Sequence, residues 1–422
     1  MLQADDIALA ALSVNGLQDL VSMCESYSKL WKFSYNPVKS KVMVFQKSPK
    51  RQAVDKLITI VLYGKEVEQV TQYVHVGIPL NSTINTNRAK DVATKMRGCL
   101  MGIIGSGINV SQIGCTTATK LYKYIVLPRC LYGTELWCGI TKTDIAKLHI
   151  SHRFCLKKIQ SFPKRANSII VENMTNVLNI EAYIDQKKLL FFGRLCRLSC
   201  SRLAKNVLVE RVYQHENQRK NHTGPVHEMC RVLNKYALGE YLQTFLLNAS
   251  FPDKRTWRNT INLAMSRHEA ALFDAALIKN NRLFRFSDIY NAPCHVHPIW
   301  VAENLASGHR KHFRDLAKLN CILYGNAGIQ ACVYCNRSFD DQLDHCCVKY
   351  ESTRELFWSL VINVFSVYMS SYLYNLSDSD MTSVILGKTP NFVPPMDDPN
   401  MLLEISAKTW QILAYERELR FY

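Results

Sequence analysis

Two neighbouring carboxylates stand near the start of the chain. Asp5 and Asp6 lie in the stretch MLQADDIALAALSVNGLQ, with apolar residues on both sides. Paired carboxylates at one turn are typical of a site for a hard divalent cation such as Mg²⁺, which prefers oxygen ligands. The alternative is an acidic turn that is merely solvated. The three letters ADD cannot decide between the two, because so short a pattern often arises by chance.

A second group of residues has the types and spacing of a zinc half-site. The stretch CVYCNRSFDDQLDHCCVKY contains Cys332, Cys335 and His345, and either Cys346 or Cys347 could be a fourth ligand. A C-x₂-C turn presents two thiolates to one ion. In an extended segment residues two apart face the same side, which favours His345 with Cys347. The alternative is a set of reduced cysteines around a turn, because the chain has 15 scattered cysteines.

The composition indicates a globular protein with a polyanionic partner. The chain has 422 residues, is 48% hydrophobic and carries a formal charge of +17. This length predicts two or three domains, and the charge favours nucleic acid as the partner over a basic but merely solvated surface. No apolar window is long enough for a membrane span, and no secretory pattern is present. We therefore expect an intracellular protein, cytoplasmic and/or nuclear, that is not secreted and has no membrane partner.

The residues after the acid pair predict a short segment of mixed helix and strand. The run VNGLQDLVSMCESYSKLW has apolar residues at helical spacing, and Ser13 or Asn15 can cap its start. An Asn-Pro pair ends this helix. The stretch LITIVLYGKEVEQVTQYVHVGIPL then predicts two strands around a turn at Gly64. Trp and Tyr are spread through the chain and do not suggest a stacking platform.

Helical periodicity dominates from about residue 88 onward. One helix has an apolar face that includes Val92, Met96 and Leu100. A later one begins with a capping pair, Thr141 and Asp144. Basic residues on and just after that later helix could hold duplex phosphates, although a solvated helix face explains them nearly as well. They are Arg153, Lys157, Lys158, Lys164 and Arg165.

Several segments together resemble the second half of the reverse-transcriptase palm of non-LTR retrotransposons, followed by its helical thumb. They are QADDIALAALSVNGLQ, NPVKSKVMVF, YVHVGIPLN, and the later pair KLYKYIVLPRCLYGTELW and HRFCLKKIQSFPKR. Their order and spacing agree with the family over at least residues 1–165. The combination is far more specific than the acid pair alone.

The resemblance implies a role for five residues. Asp5 would ligate Mg²⁺ and Asp6 would assist, in a reaction that joins a 3′-hydroxyl to a nucleotide by two-metal chemistry. Lys39 would approach the incoming triphosphate. Tyr73 to Gly77 would form the primer grip. The implied partners are an RNA template, a DNA primer or target, and a deoxynucleoside triphosphate.

The cysteine cluster also resembles a feature of this family, with two departures. Many such elements carry C-x₂-C, then His and Cys, after the thumb. Only one residue separates His345 from Cys347, where the family usually has four, and Val348 replaces the usual proline. The resemblance implies a Zn²⁺ site at Cys332, Cys335, His345 and Cys347, against the alternative of reduced cysteines.

The resemblance implies an α+β fold. It would consist of a truncated palm of β-hairpins plus a helix, a helical thumb, and a mostly helical C-terminal region with a small Cys/His knuckle. The predicted boundaries are 1–80 for the partial palm, 81–165 for the thumb, 166–320 for the helical region, 321–350 for the knuckle and 351–422 for a helical tail.

The family's fingers and its first catalytic aspartate precede the ADD turn. We therefore expect this chain to begin in the middle of a larger RNA-directed DNA polymerase and not to extend a primer alone. Gln3 stands where the family usually has an aromatic residue. The alternatives are a non-catalytic RNA- or DNA-binding module and an inert remnant of a decayed element.

Overall fold

The fold was obtained as a computed structural model. It describes residues 2–3, 6–45, 58–82, 89–110, 112–217, 224–279, 295–305, 310–325, 347–348, 351–388, 390, 393 and 397–416. The chain divides into two compact units, Met1–Arg88 and Ala89–Tyr422. Helix predominates among the described residues and the strands are short, so the α+β class is confirmed. The finer assignment to a palm and a thumb stays a prediction.

The first unit combines one helix with short paired strands. Helix α1 spans Val14–Leu30. The strands are β1 Leu2–Gln3, β2 Asp6–Ile7, β3 Lys41–Val42, β4 Val61–Leu62, β5 Lys65–Glu66, β6 Glu68–Gln69, β7 Gln72–His75 and β8 Ile78–Asn81. They form four separate two-stranded pairs among the described residues, β1–β2, β3–β6, β4–β5 and β7–β8. Only β3–β6 is parallel.

Helix α1 begins at one of its two predicted caps. The Ser13 hydroxyl accepts a hydrogen bond from the backbone N–H of Gly16 at 3.1 Å. This bond satisfies one of the free amides of the first turn, as an N-cap side chain does. Asn15, the other candidate, lies inside the helix.

Helix α1 also covers a strand edge. The side-chain amide of Gln18 donates to the carbonyl of Val61 and accepts from its N–H, each at 2.9 Å. Glu25 accepts from the N–H of Tyr63 at 2.6 Å. The helix therefore satisfies backbone groups that an open edge strand would expose. Beneath it lies a small core of Val42, Ile60, Leu62 and Val67.

The predicted turn at Gly64 is confirmed, but the run contains two hairpins rather than one. Tyr63 and Gly64 have φ values of 50° and 72°, and Val76 and Gly77 have 49° and 71°. Two successive residues with positive φ make the tight turn that matches the twist of paired strands. The second glycine therefore folds β7 back onto β8.

The second unit is helical throughout its described part. Its helices are α2 Ala89–Gly105, α3 Cys115–Leu121, α4 Leu127–Cys130, α5 Lys142–Gln160, α6 Ser168–Asn173, α7 Ile180–Cys196, α8 Leu203–Asn217, α9 Pro225–Lys235, α10 Gly239–Asn248, α11 Lys254–Lys279, α12 Pro298–Leu305, α13 Arg310–Gly325, α14 Glu351–Ile362, α15 Val367–Tyr374, α16 Asp378–Ile385 and α17 Pro399–Glu416. A π-helical turn, Tyr122–Val126, joins α3 to α4.

Helices α2 and α5 pack closely against each other, and each contains one feature that its sequence pattern predicts. Val92, Met96 and Leu100 of α2 are buried in the larger of two hydrophobic cores in this unit. The hydroxyl of Thr141 accepts from the N–H of Asp144 at 3.2 Å, so the predicted cap of α5 is confirmed. Residues four apart on one face meet the core together, because a helix turns once in 3.6 residues.

The smaller core depends on one glycine. A Cβ atom at Gly193 of α7 would lie 2.3 Å from Cδ1 of Trp257 in α11, a distance that side chains do not tolerate. The Trp257 indole N–H donates to the carbonyl of Leu189 at 2.9 Å. Because α7 has no side chain at this position, the indole reaches the helix backbone.

A buried ion pair ties α12 and α13 to α3 and α5. Arg314 of α13 and Glu303 of α12 are both buried, with side chains 5% and 0% exposed. Glu303 Oε2 accepts from the N–H of Cys115, at the start of α3, at 2.6 Å. The guanidinium of Arg314 donates to Glu303 Oε1 at 2.7 Å, to the carbonyls of Ile159 at 3.1 Å and Val110 at 3.0 Å, and to the Ser161 hydroxyl at 2.7 Å.

Candidate nucleic-acid interface

The backbone around the predicted carboxylate pair forms a hairpin. Strands β1 and β2 pair antiparallel, with Leu2 opposite Ile7 and Gln3 opposite Asp6. The chain therefore reverses direction between Gln3 and Asp6, as a strand–turn–strand requires. Asp5 lies outside the described residues, and Asp6 is described only as part of β2.

Lys39 lies on a turn that Asn36 organises. The side-chain oxygen of Asn36 accepts from the N–H groups of Val38 at 3.0 Å and Lys39 at 3.2 Å. This arrangement is the turn that an Asn favours when its side chain bonds the following backbone. Lys41 forms an ion pair with Glu68, whereas Lys39 is exposed and forms no ion pair with a described residue. Of these two lysines, Lys39 is the one whose charge is free for an incoming anion.

The predicted primer grip is the β7–β8 hairpin. Tyr73 pairs with Leu80, and Tyr73, Val74 and Leu80 are all exposed. The turn places Val76 at a φ of 49°, which is unusual for a β-branched residue. Such strain costs about 1–3 kcal/mol and tends to occur at functional sites. The strain here falls within the segment Tyr73 to Gly77 that the sequence predicts.

The five predicted basic residues of α5 and the following turn are not equivalent. Arg153 Nε donates to Glu172 Oε1 at 2.7 Å, and Lys157 Nζ donates to the carbonyl of Lys164 at 2.7 Å. Although burial raises the pKa of Glu172, hydrogen bonding to His149 and the charge of Arg153 bring that pKa below its usual value. The Arg153 charge is therefore neutralised. The exposed members are Lys158, Lys164 and Arg165.

Sequence reasoning missed a basic groove on the outer side of α2. The groove encloses about 430 Å³. It is lined by Lys95, Gly98, Cys99, Gly102, Ile103, Ser106 and Arg129. Lys95 and Arg129 are exposed, and neither forms an ion pair with any residue that the structure describes. The spacing of Lys95, Gly98, Gly102 and Ser106 is the signal that could have revealed it, because these residues share one helix face.

The two glycines in the groove are not needed for packing among the residues that the structure describes. A Cβ atom at Gly98 or Gly102 would meet nothing within 4 Å. A glycine inside a helix costs about 1 kcal/mol relative to alanine. The glycines leave the helix backbone open to an external group.

The groove combines two basic side chains with an open stretch of helix backbone. The two basic side chains are Lys95 and Arg129, and the planar fork of an arginine matches the geometry of a carboxylate or phosphate. The groove wall includes Cys99, whose Sγ atom is 3.9 Å from the Sγ atom of Cys130. Burial, and secondarily the neighbouring Cys99, raises the pKa of Cys130 to about 12, so Cys130 contributes no negative charge there.

The predicted zinc knuckle falls almost entirely outside the described residues. Cys332, Cys335 and His345 are among those not described, and Cys347 is buried in the larger core of the second unit. Within the described ranges no group of three or more His, Cys, Asp or Glu side chains could hold a metal ion. The zinc site stays a prediction.

None of the helices in the described part of the chain is long and apolar enough to cross a membrane. Comparison of the chain with protein-family models, with curated proteins and with solved structures gives no match.

Proposed function

We propose that this chain acts on nucleic acid as part of a reverse transcriptase of the non-LTR type. In this proposal the second unit holds the RNA–DNA duplex by its phosphates, and the first unit contributes carboxylates to nucleotidyl transfer. The observation that carries the proposal is the groove of α2, where Lys95 and Arg129 flank a glycine-lined helix face. The formal charge of +17 supports the same partner.

The carboxylate hairpin supports the catalytic part of the proposal. Strands β1 and β2 pair antiparallel on the two sides of the ADD sequence, which is the strand–turn–strand arrangement that the proposed carboxylate ligands require. Bound Mg²⁺ would supply charge neutralisation at the reacting phosphate. Lys39, which the Asn36 turn leaves exposed, would bind the triphosphate of the incoming nucleotide.

Neutralising the groove should weaken nucleic-acid binding. We expect the double variant Lys95→Met with Arg129→Met to bind an RNA–DNA duplex roughly tenfold more weakly, whatever its sequence. The slope of log affinity against log salt should fall by about 2, because two phosphate contacts are lost. Fluorescence anisotropy with the full chain, titrated over salt concentration, measures both quantities.

A matched variant controls for the loss of charge. Lys254→Met with Arg255→Met removes one lysine and one arginine from the exposed start of α11, so it changes net charge equally. It should leave most of the affinity and the salt slope in place. Equal losses from the two double variants would show that the groove is not a site, and the same assay on Lys158→Met with Lys164→Met tests the surface after α5.

Removing a carboxylate of the hairpin should weaken binding of a divalent cation. We expect Asp5→Asn or Asp6→Asn to lower the affinity for Mn²⁺, a probe for Mg²⁺, by about tenfold or more, because carboxylates are the hard ligands at such sites. Electron paramagnetic resonance of free Mn²⁺ measures the change. Asp19→Asn, an exposed carboxylate of α1, is the matched control.

These two tests separate the polymerase from the non-catalytic alternative. If the groove variant weakens duplex binding while the Asp variants leave Mn²⁺ binding unchanged, the chain is a nucleic-acid-binding module without a cation centre. Unchanged binding in both tests contradicts the proposal as a whole.

A further inference from the structure

The end of helix α1 carries an exposed cluster of aromatic rings, a feature that the sequence analysis did not suggest. We call Tyr27, Trp31, Phe33 and Tyr35 the aromatic ledge. The ring centroids of Tyr27 and Trp31 are 6.2 Å apart, those of Tyr27 and Phe33 6.1 Å, and those of Phe33 and Tyr35 5.2 Å. Tyr27, Trp31 and Phe33 are 55%, 64% and 44% exposed. Large aromatic rings seldom cluster in water without a partner.

The helix terminus explains why these rings meet. Phe33 N–H donates to the carbonyl of Ser28 at 3.0 Å, and Lys32 adopts a φ of 56°. This is the terminal turn in which a left-handed residue folds the chain back over the helix, a position that glycine usually occupies. Lysine is strained there. Lys32 therefore stands between Trp31 and Phe33 in the chain at a position where its backbone is strained.

One ring of the ledge, Tyr35, is anchored to the first unit. Tyr35 packs against the core of the first unit, and its N–H donates to the Tyr63 hydroxyl at 3.3 Å. The Tyr63 hydroxyl in turn bonds Ser28 of α1. A ring anchored as Tyr35 is loses little conformational freedom when a ligand binds, so more of its contact energy appears as affinity.

We infer that the aromatic ledge binds a single-stranded nucleic acid, with unpaired bases on the ring faces and phosphates at Lys29 and Lys32. Both lysines are exposed and form no ion pair with a described residue. Glu25, the nearest acid along the helix, is occupied by the N–H of Tyr63 at 2.6 Å. Aromatic rings interleaved with free cations are the composition of single-strand platforms, where bases stack and cations follow the backbone.

The geometry indicates stacking on the outer faces of the rings. Tyr27 and Trp31 are tilted by 47°, and Tyr27 and Phe33 by 74°. A base held between two rings needs them parallel, so these rings cannot enclose one. Trp31, as the most exposed ring of the ledge, is the principal contact. This site adds a base-dependent contact in the first unit to the phosphate groove proposed for the second.

A comparison of strands with and without bases tests the inference. We expect Trp31→Ala in the full chain to weaken binding of an oligothymidylate or oligouridylate of about 20 nucleotides by about 5- to 50-fold. Binding of an abasic strand of equal length should change by less than about twofold, because the phosphates remain. The thymidylate and uridylate arms show whether DNA or RNA is preferred. Trp31→Phe, which keeps a ring, should recover most of the affinity.

Further variants keep the test specific. Leu12→Ala removes a fully exposed apolar residue outside the ledge and should change nothing. Lys32→Gly removes the cation at a position that favours glycine, so it should lower the salt slope by about 1 without unfolding the chain. Ultraviolet cross-linking to oligouridylate should map to the peptide that contains Tyr27 and Trp31.

Three results would overturn the inference. The first is an unchanged affinity of Trp31→Ala for both the base-containing and the abasic strand. The second is an equal loss of affinity for these two strands. The third is a change of oligomeric state in Trp31→Ala with oligonucleotide affinity intact, since that would make the ledge a protein interface. The groove variant Lys95→Met with Arg129→Met should weaken both kinds of strand alike, so the groove and the ledge can fail separately.

Discussion

Replacing Arg314 with methionine should lower the free energy of unfolding of the second unit by roughly 3–5 kcal/mol. The change leaves Glu303 charged and without its guanidinium partner in a site where the carboxylate side chain is 0% exposed. It also removes the donors that Arg314 supplies to the carbonyls of Ile159 and Val110. Urea unfolding followed by tryptophan fluorescence reports on this unit, which contains five of the six tryptophans.

Two further variants distinguish the effect of the buried charge from the effect of any substitution in helix α13. Lys318→Met removes a partly exposed partner of Asp315 one turn later in the same helix, and should cost no more than about 1 kcal/mol. The double variant Glu303→Leu with Arg314→Met removes both charges and should recover much of the loss. If Arg314→Met and Lys318→Met lower the free energy of unfolding equally, the buried ion pair of Arg314 and Glu303 does not stabilise the fold.

Acidification from about pH 7.5 to about pH 4.5 should destabilise the second unit by about 2.5 kcal/mol through His152 alone. Burial lowers the pKa of His152 from 6.5 to about 4. In the unfolded chain this imidazole takes up a proton near pH 6.5, but in the folded chain it cannot do so until about pH 4. The stabilising contribution is therefore complete above pH 6.5 and is lost as the pH falls to 4.

A second buried histidine acts in the same direction. Burial lowers the pKa of His297 to about 3. Both imidazoles lie in the second unit, so their effects on its stability have the same sign. The free energy of unfolding should accordingly fall steeply as the pH drops below about 6.5.

His152→Gln tests the contribution of one imidazole. His152 Nδ1 lies 2.7 Å from the Tyr122 hydroxyl, and glutamine keeps a polar group near it. We expect lower stability at neutral pH but a slope of unfolding free energy against pH that is shallower by up to about 1.4 kcal/mol per pH unit. Urea unfolding at a series of pH values measures it. A slope equal to that of the parent chain would mean that His152 does not cause the acid sensitivity.

Local sequence signals predicted the local structure well. Ser13 and Thr141 cap the helices that follow them, because a hydroxyl one residue before a helix can reach only its first amides. Gly64 makes its predicted turn. Val92, Met96 and Leu100 are buried together since their spacing fixes a common face. Each of these signals acts over a few residues, so no tertiary information is needed to interpret it.

The candidate sites also differ in how far local sequence alone could predict them. The pairing of β1 with β2 around the ADD sequence and the Asn36 turn that holds Lys39 involve residues close together in the chain, so local sequence can indicate them. The aromatic ledge could also have been anticipated in part, because Tyr27 and Trp31 are four apart on one helix. Phe33 and Tyr35 join it only because the chain turns at Lys32, which has a positive φ. The sequence does not predict this turn, because the position is not a glycine.

By itself the sequence determined the class of the fold, the helix starts, the tight turns and the positive charge, since these depend on residue type and short-range spacing. Only the tertiary structure decided which cations are free. It pairs Arg153 with Glu172 and leaves Lys95 and Arg129 unpaired among the described residues. It also joins Arg314 to Val110 across 204 residues. Such contacts depend on how whole helices pack, and packing is a property of the assembled core rather than of any local stretch.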